Sequence, residues 1–136
     1  MRIDRSYFNN NDCILKVLRA EKIDLIVLAG FLWLIPPYLI SEFPNKILNI
    51  HPGLLPKYGG KGMYGQHVHE AVKANNETES GLTIHYVNEK FDEGEHIFQA
   101  KCKVLPSDST NEIAANVLKL EHKHYAEVID SVLKEL

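Results

Sequence analysis

The chain has 136 residues, 45% of them apolar, and a formal charge of −3. That is enough for one domain of ordinary globular composition, and the charge offers no general attraction to nucleic acid or an anionic membrane. No apolar run approaches the ~18 residues of a membrane span, no signal-peptide pattern opens the chain, and Cys13 and Cys102 lack CxxC spacing; a cytoplasmic protein with two reduced thiols is expected.

Asn9 to Asp12 offer helix caps, and Ile14, Leu15 and Leu18 predict a short amphipathic helix ending near Lys22. Leu25 to Ala29 is an unbroken apolar run closed by Gly30, the pattern of a strand buried on both faces. Pro36-Pro37 opens a helix carrying Tyr38, Leu39, Ile40 and Phe43, and Pro44 stops it. Ile47 to Ile50 is the next strand, so a right-handed crossover and a parallel pair follow. From Pro52 to Gly65 the chain is a Gly- and Pro-rich loop, and a helix then begins near Tyr64 with Val68, Ala71 and Val72 inward. Leu82 to Val87 alternates as a strand and pairs with Ile97 to Cys102 across the loop 88–95. Ser109-Thr-Asn-Glu112 is a capping box for a long helix whose stripe uses Ile113, Val117, Leu120, Val128 and Val132. Glu121 falls within that stripe, and a carboxylate on an inward face needs a partner.

Polar residues at the strand ends carry the candidate chemistry. Asn49 and His51 are two apart, so they share one face at the carboxyl end of a buried strand, where open α/β sheets bind ligands. Read blandly, Asn49 caps a turn and His51 is a satisfied loop histidine; Pro52, fixing the backbone beside it, favours a held imidazole. Asp92 lies in the turn Phe91-Asp-Glu-Gly94, a usual place for a structural aspartate. Thr83 and His85 share a face as well, the wall of a pocket or the solvent side of an outer strand. The pairs His67/His69 and His122/His124 do not face each other on a helix, so no metal site is read there. Gly59-Gly-Lys-Gly62 lacks the strand-loop-helix setting of a phosphate-binding loop.

Four motifs in order then carry a resemblance. Leu28-Ala-Gly-Phe31, Ile47-Leu-Asn-Ile-His-Pro-Gly-Leu-Leu-Pro56, Gly81-Leu-Thr-Ile-His-Tyr-Val87 and Phe91-Asp-Glu-Gly94 resemble the phosphoribosylglycinamide formyltransferases, from about residue 10 to the C-terminus. Gly59-Gly-Lys-Gly-Met-Tyr-Gly65 resembles one subgroup of them. The resemblance implies an α/β fold: an open, mainly parallel Rossmann-like sheet with a C-terminal antiparallel hairpin and helix. It implies formyl transfer from 10-formyltetrahydrofolate, a co-substrate, to the amine of phosphoribosylglycinamide in purine synthesis, with no metal, nucleic acid or membrane. Asn49, His51 and Asp92 are implied as the catalytic trio. Leu32, Trp33, Leu34 and Ile35, with Asn49, Asn88, Glu89, Lys90 and Phe91, are implied for folate, and Arg5 is the counterpart of an arginine that contacts folate in some members. Glu121, Thr83 and His85 are implied for the ribonucleotide.

An Asp92 carboxylate near His51 would favour the imidazolium. The deformylase of the same folate, and the methionyl-tRNA and sugar formyltransferases, share the trio; a non-catalytic fragment that binds folate or pairs with a partner chain is the remaining alternative. Nothing before Asp24 resembles the family's first strand and glycine-rich phosphate turn. Residues 1–136 are thus expected to be a single catalytic domain lacking an N-terminal βαβ portion, with an exposed sheet edge that pairs copies of the chain.

Overall fold

A computed structural model describes residues 3–10 and 13–136. The helix caps expected at Asn11 and Asp12, and the side chain of Asn10, lie outside what is described. The elements in order are α1 (Arg5–Asn10), α2 (Cys13–Ala20), β1 (Ile26–Leu28), α3 (Pro37–Glu42), β2 (Ile47–His51), α4 (Gln66–Ala74), β3 (Glu79–Tyr86), β4 (His96–Lys103) and α5 (Thr110–Lys134). Pro36 sits at the N-cap of α3 with Pro37 in the first turn, where a missing N–H costs nothing. Ser109 caps α5 by accepting from the Glu112 N–H at 3.1 Å. The Ser109 hydroxyl in turn donates to the Glu112 carboxylate, at 3.3 Å.

The four strands form one open sheet in the order β1-β2-β3-β4. β1 and β2 are parallel, joined through α3, whereas β2–β3 and β3–β4 are antiparallel. The α/β class, the hairpin and the terminal helix match expectation, and within the described residues the sheet is mixed, with one parallel pair. β1 is an edge strand with Val27 38% exposed, so its apolar run is not covered on both faces here.

Leu82 and Ile84 turn their side chains onto Val117 and Tyr125 of α5, and Ile47 packs with Leu39 and Phe43 of α3. A third cluster sets Val68 and Val72 of α4 against Ile113. The hydroxyl of Tyr125, on the buried face of α5, donates to the Leu28 carbonyl at 2.6 Å and so ties the helix to the end of β1. In this way α4, α5 and the sheet brace the carboxyl ends of β1 and β2.

Candidate active site

The β2–β3 register sets Asn49 opposite His85 and His51 opposite Thr83. Each polar pair read from the sequence therefore meets the other across one sheet face. His51 is 3% exposed. Its Nε2 lies 2.8 Å from the Tyr58 carbonyl oxygen. A carbonyl only accepts, so Nε2 carries a hydrogen, and Nδ1 faces Asp92 Oδ2 at 3.5 Å. Asp92 occupies a left-handed position, φ 55°, in the turn after β3. Its Oδ2 also accepts from the Gly60 N–H at 3.1 Å, and its Oδ1 lies 3.6 Å from His85 Nε2. The aspartate thus fixes a turn and sets a carboxylate beside two imidazoles.

The expectation of a resting imidazolium is reversed. Burial pushes the His51 pKa below its ordinary 6.5, outweighing the opposing pull of Asp92 and of the Tyr58 carbonyl. At neutral pH the ring is a base with a bare Nδ1. Burial alone would raise the Asp92 carboxyl, yet the His85 and His51 rings and the Gly60 N–H hold it below 3.8.

A cavity of about 920 Å³ opens onto this group. Leu32, Trp33, Leu34 and Ile35 form one wall, and Arg5 reaches it. Asn88, Lys90, Phe91 and Asp92 form a second, the loop 60–66 a third, and Val117, Leu118 and Glu121 of α5 a fourth. Trp33 is seated by edge and tilted contacts with Phe31 and Phe8, at centroid distances of 5.7 and 5.8 Å. Glu121 is half-buried on the cavity wall, which accounts for a carboxylate inside an apolar stripe: it faces a ligand space and not the core. Among the described residues it has no ion-pair partner.

Two implied residues are not on that wall. Thr83 is fully buried and its hydroxyl is spent: it donates to the Gly53 carbonyl at 2.8 Å and accepts from the Leu55 N–H at 3.1 Å and Gln99 Nε2 at 2.9 Å. It pins the turn after His51 and touches no ligand space. Thr83→Val should accordingly lower the unfolding free energy by about 1–3 kcal/mol, the cost of leaving buried groups without partners; an unchanged urea midpoint would contradict this. Glu89 is exposed to solvent and lies off the cavity, whereas Asn88 and Lys90, exposed as well, border its rim.

Several contributors were invisible in the sequence. The carbonyls of Tyr58 and Tyr86 and the N–H of Gly60 act through the backbone, which no side-chain pattern reveals. Tyr58 itself is anchored by its hydroxyl on Glu77, at 3.1 Å. Gly53 allows the tight turn, since a Cβ there would lie 3.2 Å from His51 Nε2 and 3.0 Å from Val68. His69, set aside as a metal ligand, is buried on the cavity wall, and its Nδ1 has no hydrogen-bond partner among the described residues. Burial and the nearby His51 ring lower its pKa below 6.5.

These shifts carry a sign. His51 and His69 bind a proton less readily folded than unfolded, so their contribution is whole above about pH 6.5 and is lost as pH falls through that value. Asp92 adds a further loss below 3.8. The urea midpoint should be flat between about pH 7 and pH 8 and fall as the pH drops below about 6.5. His69→Gln should flatten part of that fall; a midpoint constant across the window would refute the burial argument.

Among the described residues no group of three or more His, Cys, Asp or Glu could hold a metal ion, and no helix is long and apolar enough to cross a membrane. Comparison with known proteins adds a lineage to this geometry. The chain is 47% identical over 122 residues to the chloroplastic phosphoribosylglycinamide formyltransferase of Arabidopsis thaliana, covering 90% of this chain and 42% of that protein. The crystal structure of phosphoribosylglycinamide formyltransferase from Anaplasma phagocytophilum superposes with a TM-score of 0.82 at 32% identity, covering 91% of this chain and 58% of that one. A formyltetrahydrofolate deformylase from Pseudomonas syringae pv. tomato has the same fold, with a TM-score of 0.83 at 23% identity, over 98% of this chain and 42% of that one. The chain thus spans between two-fifths and three-fifths of the length of these three proteins. Residues 5–129, which hold the Asn49–His51–Asp92 group and every wall of its cavity, match the family model described as formyl transferase, and the chain belongs to that family.

Proposed function

We propose that the whole protein transfers the formyl group of 10-formyltetrahydrofolate to the amine of phosphoribosylglycinamide, in the cytoplasm and as a step of purine synthesis. The observation that carries the reading is a single one: a largely buried group of His51, Asp92 and His85 at the floor of a cavity large enough for both substrates. The amine nitrogen attacks the formyl carbon, and negative charge develops on the former carbonyl oxygen. Asn49, half-buried on the cavity wall, supplies an N–H donor to that oxygen. The attacking nitrogen must shed a proton, and the bare Nδ1 of His51 can take it, forming a charge-assisted pair with Asp92. As the bond from carbon to the folate nitrogen breaks, the proton held on His51 Nδ1 passes to that nitrogen, and the imidazole returns to its neutral form.

The pterin ring is assigned to residues 32–35, Asn88 and residues 90–92, whose apolar and backbone groups suit a flat heterocycle. Glu121 is assigned to the ribose hydroxyls, for which a carboxylate is a good acceptor. The test is stoichiometric. The whole protein should consume 10-formyltetrahydrofolate only when phosphoribosylglycinamide is supplied. Rapid formate release without the amine would identify a deformylase instead, with water as the acceptor.

A further inference from the structure

Both ring nitrogens of His85 are spent on protein groups, and together they determine which end of the Asn49 amide faces the cavity. We infer that His85 is a positioning residue: its ring, locked in one tautomer by the Tyr86 carbonyl, holds the Asn49 amide with its nitrogen toward the ring. His85 Nδ1 lies 2.9 Å from the carbonyl oxygen of Tyr86. That oxygen can only accept, so Nδ1 carries the hydrogen, and in the neutral form of the ring that leaves Nε2 bare. Nε2 lies 3.3 Å from Asn49 Nδ2. A bare ring nitrogen requires a donor. The amide nitrogen is one, whereas the amide oxygen would set lone pair against lone pair.

The other group beside Nε2 is Asp92 Oδ1 at 3.6 Å, which as a carboxylate oxygen is also an acceptor. His85 is 2% exposed, so bulk water cannot stand in for Asn49. One N–H of the amide is thereby fixed on the ring. The second, on the same nitrogen, keeps a set direction in the amide plane, and Asn49 lines the cavity. An Asn49 released from the ring could rotate by half a turn and present its oxygen, reversing the dipole offered to whatever binds. That the held N–H then meets the developing oxyanion rests on the function proposed above; the orientation itself does not.

Nitrogen-15 NMR of the protein tests the orientation without any turnover. His85 should show the Nδ1–H tautomer, and one of the two Asn49 side-chain amide protons should exchange at least about tenfold more slowly than the other. His85→Ala should abolish that difference. His85→Gln, which keeps a side-chain acceptor, should restore part of it and guards against a misfolded alanine variant. An Nε2–H tautomer, or Asn49 signals indifferent to both substitutions, would overturn the inference. In kinetics, His85→Ala should lower kcat about 10- to 100-fold with KM little changed. In the Asn49→Ala background the same substitution should add nothing, because the group it positions is gone; additive losses would overturn the positioning role. Should the spectra behave as expected in a protein with no transferase activity, the proposed function fails and the orientation stands.

Discussion

Asp92→Asn and His51→Ala should each reduce formyl transfer by the whole protein by about 10²–10⁴-fold, the range for loss of a positioned acid–base group. The His51 argument begins from its hydrogen bond to Tyr58. With Nε2 committed to that carbonyl, only Nδ1 can receive a proton, and it faces Asp92 at 3.5 Å. The cost of charging a buried ring is met at the moment of transfer by the adjacent carboxylate. Asparagine at position 92 can still accept from the Gly60 N–H, so the loop should stay in place, but its neutral amide cannot stabilise the imidazolium. The loss should therefore fall on kcat, and the affinity for a folate analogue, set mainly by residues 32–35, Asn88, Lys90 and Phe91, should change far less. Near-normal turnover in either variant would remove that residue from the mechanism.

How much of this was legible beforehand follows from where the information sits. Periodicity predicts which side chains share a face, and Asn49 with His51, like Thr83 with His85, needed no more than the two-residue repeat. Register does not follow from periodicity alone, and it is register that sets Asn49 against His85 and His51 against Thr83. Thr83 and His85 looked equivalent along the strand, but one meets the turn after Gly53 and the other meets Asn49. The protonation of His51 misled for a different reason. A neighbouring carboxylate is visible in a motif, whereas the depth of burial that outweighs it depends on the packed fold. The short helix α1 was missed because its register with the core rests on Phe8, a single aromatic packing on Phe31 and Trp33.

Gly94→Ala should be the most damaging of the small substitutions, in stability and in turnover together. The turn that brings Asp92 back to the site passes so close to β3 that a Cβ on Gly94 would lie 1.6 Å from the Tyr86 carbonyl oxygen and 2.7 Å from its carbon. Both are backbone atoms, so no side chain can swing aside. The Tyr86 carbonyl accepts from His85 Nδ1, and the Tyr86 N–H is held by the Glu95 carbonyl at 2.9 Å. Relief of the collision must therefore move the hydrogen bond that sets the His85 tautomer, or the turn that carries Asp92. Overpacking of this kind costs about 1–3 kcal/mol and sometimes more. Gly30→Ala supplies the control: a Cβ there meets nothing within 4 Å, and only the φ of 65° is unfavourable. Its cost should be that of the left-handed backbone, about 1–2 kcal/mol, with no displacement of the active-site imidazoles. Urea unfolding with histidine NMR on both variants separates the two. Gly30→Ala should keep the wild-type ring signals, and Gly94→Ala should shift those of His85. A Gly94→Ala protein with the wild-type midpoint and unmoved His85 signals would show that the close approach of turn and strand does not hold.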